Sequence, residues 1–157
     1  MPGVTGLTFG FEMAQARLQG IAGAFDRACE EFVQDGCLII EGATKKNLQD
    51  GREEWPDLSE STIAGSDRGP RDHMLNVTGH MMRGVTHVIR KGGKSTVGYI
   101  GWSTGGEYAP AQEFGSTRAG KSRRVKIPAR PHMRPAVEEN EERLNRAFEK
   151  RVREAVK

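Results

Sequence analysis

Apolar side chains recur at Phe11, Ala14, Leu18, Ile21, Phe25, Ala28 and Phe32, in steps that alternate three and four. That alternation places all seven on one stripe of a helix, and Ile39 and Ala43 continue the phase. A long helix over 11–50 is predicted, ended by Asp50-Gly51. Gly20, Gly23 and Gly36 each weaken it by roughly 1 kcal/mol against alanine, which predicts a kink near Gly36. The stripe reads as core packing in preference to a coiled-coil seam, because it only just reaches the three to four heptads such a seam needs.

Residues 51–73 are rich in Gly, Pro, Asp and Arg and read as a connection, with a helical turn over Ser59–Ala64. A second short helix is expected through Met74, Leu75, Thr78 and Met82, capped by Ser66 or Asp72. Val85, His87 and Ile89 then alternate with Thr86 and Val88, and a second alternating run spans Thr96 to Ile100. Lys91-Gly92-Gly93-Lys94 between them makes this a β-hairpin. After a break at Ser103–Gly106, Glu107 to Phe114 predicts a short helix or turn closed by Gly115.

Periodicity vanishes from Ser116 to Lys126, where Arg118, Lys121, Arg123, Arg124 and Lys126 stand without one acid; this predicts a flexible basic loop. Pro128 to Pro135 suits an edge or a rigid arm. Val137, Leu144, Phe148, Val152 and Ala155 return at helical spacing, with acids crowding the first turns and Arg151, Arg153 and Lys157 the end, as the macrodipole favours. The expected fold class is therefore α+β in one domain, 1–157: long helix 11–50, connection 51–73, hairpin core 74–136 carrying the loop 116–126, and C-terminal helix 137–156.

Composition sharpens the picture in two respects. Only 36% of the 157 residues are apolar and 6% aromatic, so the core should be modest and completed against other subunits. Net charge is +3 but polarised: residues 1–60 hold 5 Lys+Arg against 11 Asp+Glu, and residues 61–157 hold 19 against 10. Such polarity marks a subunit that meets its neighbours with opposite faces. No apolar run is long enough to span a bilayer, and Met1–Gly10 lacks the pattern of a secretory signal, so a soluble chain made in the cytoplasm is expected. Cys29 and Cys37 read as small buried thiols.

Catalytic chemistry finds little support. His73, His80, His87 and His132 have no carboxylate or thiol at ligand spacing and read as ordinary histidines. Phosphate-cradling glycine motifs and nucleophile elbows are missing from the sequence. No catalytic, metal or cofactor residue is predicted, and a metal-dependent enzyme is the weakest of the alternatives. The basic segment is the strongest functional candidate, either docking on an acidic partner or tracking a DNA backbone. With no aromatic between Ser116 and Ile127, base stacking is not indicated. Trp55, in the polar connection, reads as a docking or latching anchor, and Trp102 as core packing beside the hairpin.

Four blocks in order carry a family resemblance: Trp55, Leu58, Ser59 and Thr62; Leu75, Thr78, Gly79 and Met81; Tyr108, Ala109, Gln112, Phe114 and Gly115; and Ile127 to Pro131. Together they resemble the virion-morphogenesis family of tailed bacteriophages, related to tail-completion proteins, over residues 55–136. Met81 stands where leucine is usual there, Gly84 where serine is common, and His132 where an aromatic follows Arg-Pro.

The resemblance implies a non-enzymatic virion protein at the neck, joining or completing the tail as a homo-oligomeric ring, with six copies favoured. Head–tail connector and tail-tube proteins are the implied partners, with DNA in the channel a possible contact and no membrane. A tail-terminator ring and a sequence-independent DNA-binding protein are the alternatives. Apart from the resemblance, proline geometry alone suggests that Pro128 and Pro131 hold Arg130 rigid for a bidentate contact with a neighbouring subunit's carboxylate.

Overall fold

The computed structural model describes residues 5–64, 74–75, 78–93, 95–104 and 106–157, with side chains from Gly10 onward except Ser61. Its organising element is α1 (Thr5–Asp50), 46 residues and so about 69 Å long. α1 runs through Gly36 without interruption, and there Leu144 comes to 3.5 Å from the place a Cβ would take.

The predicted hairpin is β1 (Val85–Gly92) and β2 (Ser95–Trp102), paired antiparallel from Val85↔Trp102 to Gly92↔Ser95. It lies against α1 together with α3 (His80–Gly84). The core where these meet is Leu48, Met81, Val85 and Ala109, flanked by Leu75, Met82, Ile100 and Trp102. The fold is α+β, as the periodicities predict.

The C-terminal helix differs from its expected form. A short α5 (Met133–Glu138) begins inside the proline stretch, and α6 (Glu141–Ala155) follows after a break at Glu139-Asn140. Pro135 is tolerated because it occupies the first turn of α5, where an N–H has no helical partner to lose. α6 packs antiparallel along α1. Phe32 and Phe148 meet edge to face at 5.1 Å, and Arg151 bonds Asp35 at 2.8 Å and Glu31 at 2.7 Å.

Three further expectations need correction. Core packing of the N-terminal stripe holds only from Ala28 onward. Ala28, Cys37, Ile40 and Leu48 are buried, while Phe11 and Leu18 are 71% and 67% exposed and Ile21 and Phe25 are also open. The cause is length: α6 has 15 residues, and Arg151, one turn before its end, has already reached Glu31.

The flexible basic loop is a second hairpin, β3 (Ser116–Ala119) with β4 (Val125–Ile127), paired Ser116↔Ile127 and Ala119↔Val125 with one extra residue on β3. Ladder bonds hold such short charged strands without any apolar alternation.

The second short helix starts only after Gly79, which lies at φ +70, so Met74, Leu75 and Thr78 precede it as bends. Its suggested caps Ser66 and Asp72, along with His73, Asn76, Val77, Lys94 and Gly105, lie outside the described residues. α2 (Glu60–Ala64) does form, and the Ser59 hydroxyl accepts the Thr62 N–H at 3.3 Å in the manner of a cap.

Candidate functional site

The four sequence blocks converge on one junction at the end of α1. The Trp55 ring is buried, and its Nε1–H donates to the carbonyl of Pro131 at 2.9 Å. Arg130, also buried, donates from Nε and Nη2 to the Pro56 carbonyl at 3.1 and 3.0 Å and from Nη2 to the Asp57 carbonyl at 3.0 Å. Its own N–H bonds the Gln112 carbonyl at 2.6 Å. The arginine set between prolines therefore grips its own chain and presents no fork to a neighbour. Burial lowers its pKa, and Asp57 partly offsets that. Trp55 is likewise an internal latch: its ring is buried among polar, exposed sequence neighbours and is held by Pro131, 76 positions away.

Glu113 is the residue that sequence reasoning missed. It lies on α4 (Ala109–Phe114), buried, and its carboxylate faces the start of α5. Oε2 accepts the backbone N–H of His132 at 2.8 Å and of Met133 at 3.0 Å, and Oε1 that of Arg134 at 3.0 Å. Three donors that a helix start leaves orphaned are thereby satisfied by one anion. Burial pushes this carboxyl up, but the bonds from Met133, His132 and Arg134 outweigh it and hold it below the usual range. No local signal pointed to it: Glu113 stands between Gln112 and Phe114 with no partner within reach along the chain, and its contacts come from residues 19–21 positions on.

His132 is not the surface or half-buried histidine expected. It is fully buried, edge-on to Trp102 at 5.4 Å. Its Nδ1 lies 3.0 Å from the Arg130 carbonyl, so Nδ1 carries the proton; Nε2 is buried without a partner. Burial lowers its pKa against the opposing pull of the Arg130 carbonyl and Glu113.

The remaining block residues line three cavities around this junction. Leu75, Thr78 and Tyr108 border one of about 560 Å³. Phe114, largely exposed, borders an apolar one of about 370 Å³ with Trp102 and Val137. Leu58, Thr62 and Pro128 border a third, about 350 Å³, beside Arg130. Gly115 ends α4 at φ +75, with the Ile127 carbonyl 3.1 Å from where a Cβ would stand, so any other residue is strained there. Gly84, where the resembled family has serine, is stricter: a Cβ would lie 1.9 Å from the Thr104 carbonyl oxygen.

Arg118, Lys121, Arg123, Arg124 and Lys126 are all exposed on the β3–β4 hairpin, which borders the third cavity through Lys126, and none forms an ion pair among the described residues. On the opposite flank, Glu41 bonds His87 at 2.6 Å and Lys45, which together lower its pKa, the lysine more strongly. Arg52 pairs with Glu139 through Nη1 and Nη2, one to each carboxylate oxygen. These pairs fasten α1 to the hairpin and to the α5–α6 break. Among the described residues no group of three or more His, Cys, Asp or Glu is arranged to hold a metal ion, and no helix is long and apolar enough to cross a membrane. Compared with family models, curated proteins and solved structures, the chain matches none.

Proposed function

We propose that this chain is a structural subunit of a tailed-phage particle, completing or joining the tail at the head–tail junction as part of a ring. One observation carries the reading: the block residues that bond at the junction, Trp55, Arg130 and Pro131, do so within their own chain. They set a rigid frame, and what the frame turns outward is adhesive surface: an apolar helix and a hairpin with five cations. The ring contacts are heterologous, joining different faces of successive copies. The hairpin meets the acidic side of an adjoining ring or the DNA that passes through.

The test replaces Arg118, Lys121, Arg123, Arg124 and Lys126 together by serine. All five are exposed, so the variant folds with the wild-type circular-dichroism spectrum, while phage carrying it accumulate separate heads and tails. A normal yield of joined particles overturns the proposal. Exposure of the cations also favours a second reading, a sequence-independent DNA binder. Under that reading the isolated protein shifts duplex DNA in a gel, with a log–log salt slope near 0.9 per neutralised phosphate. The serine variant then loses the shift.

A further inference from the structure

From Gly10 to Ala22 every residue of α1 is exposed, and the apolar positions Phe11, Ala14, Leu18, Ile21 and Phe25 run uncovered along one side. A lone helix of this kind does not hold itself together in water. Gly10, Gly20 and Gly23 each cost it roughly 1 kcal/mol against alanine, and helices in proteins draw most of their stability from packing an amphipathic face, which this arm leaves open among the described residues. Something covers the stripe.

The seam itself says what kind of cover. Where α1 is packed, its continuation at the half-buried Phe32 and Gly36 meets a helix, α6, through Phe148 and Leu144. The free part keeps the same alternation of three and four, the 3.5-residue period by which two helices share a seam. We propose that the cover is the same segment of a second copy, the two arms packing antiparallel about a two-fold axis.

Length and side-chain volume both select this arrangement. The free arm extends from Thr5, where α1 begins, to Arg27, the residue before buried Ala28. Two such arms laid end to end antiparallel bring Phe11 opposite Ile21 of the second copy and Ala14 opposite its Leu18. Those are pairs of the a-with-d kind that an antiparallel seam requires. Each layer then joins a larger side chain with a smaller one. A parallel pair would instead stack Phe11 on Phe11 and Ala14 on Ala14, alternating crowding with voids, and both are destabilising. It would also crowd the two α6 helices, which end at the same level. The antiparallel pair puts the two bodies at opposite ends of a rod about 34 Å long. Being isologous, this contact closes at two copies and differs from the heterologous contact of a ring. The inference does not rest on the phage reading.

The full chain at about 100 µM is expected to sediment as a dimer that dissociates on dilution. Amide protection over residues 10–27 rises with concentration in step. Phe11→Ser with Phe25→Ser, both exposed in the free chain, weakens the dimer at least tenfold while the near-ultraviolet spectrum of the tryptophans stays unchanged. Orientation is read by cysteine pairs: mixing Ala14→Cys with Leu18→Cys chains yields an oxidised heterodimer, and neither variant cross-links with itself. A monomer at every concentration, or an Ala14→Cys chain that cross-links with itself, overturns the proposal. A monomer would leave the arm to a different protein.

Discussion

Replacing Glu113 by glutamine is the sharpest test of how the junction is held. The side chain keeps its shape and its place on α4, so the change isolates charge and one acceptor. Best placed, the amide oxygen keeps the His132 and Met133 N–H groups, which now bond a neutral acceptor in place of an anion. The Arg134 N–H then faces an NH₂ group and is left without an acceptor. Two bonds weakened from charged to neutral and one part-buried donor left unpaired amount to about 1.5–3 kcal/mol. For a domain of this size that is a fall in Tm of roughly 3–12 °C. Guanidinium titration at pH 7 measures it, with an unchanged m-value showing that the unfolded state is the same.

The pH dependence gives an independent check. Glu113's folded pKa lies below its unfolded one, so its contribution is present above the unfolded value near 4.3 and is lost as pH falls through the folded value. The glutamine variant lacks that acidic slope. A variant within about 0.5 kcal/mol of wild type at pH 7, with the acid limb intact, refutes the assignment of Glu113 as the cap of α5.

His132→Phe keeps the edge contact with Trp102 and removes the buried, partnerless Nε2. Because burial lowers this histidine's pKa, wild type loses stability as pH falls from about 6.5 toward the folded value, by up to about 1.4 kcal/mol per pH unit, and the phenylalanine variant is flat over that stretch; equal slopes between pH 5 and 6.5 contradict it. Arg130→Lys replaces a fork that serves two carbonyls with a single ammonium, costing about 1.5–3 kcal/mol. It also loosens residues 55–57, so Trp55 emission moves to the red; an unchanged denaturation midpoint and emission maximum contradict the internal clamp.

Periodic elements were legible because burial imprints its period on the chain. α1 and the β1–β2 hairpin stand where three-and-four spacing and alternation put them, and α4 ends at the Gly115 that marked its stop. The β3–β4 hairpin was illegible because strands of three and four residues, mostly exposed, have no buried face to imprint. Trp55 and Arg130 misled for a different reason. Each sits among polar or proline-rich neighbours, and each finds its partner more than 70 residues away, so local composition describes the surroundings and not the contact. Nothing local in the sequence singled out Glu113. Its role depends on a helix start 19 residues on, in a proline-rich stretch expected to be an edge or a rigid arm.

The α1 stripe shows why phase and burial have to be read separately. Sequence spacing established that Phe11 to Phe32 share a face, but spacing is blind to which part of that face the chain can afford to cover. The answer lies in a second quantity, the 15-residue length of α6, set by the break at Glu139-Asn140. Arg52 fixes that break by gripping Glu139, and Arg151 fixes the other end against Asp35 and Glu31. With both ends pinned, α6 cannot slide along α1 to cover more of the seam without breaking ion pairs at each end. The boundary between covered and open seam near Ala28 therefore follows from a pinned helix, and the apolar arm beyond it is a consequence of the fold's own fastenings.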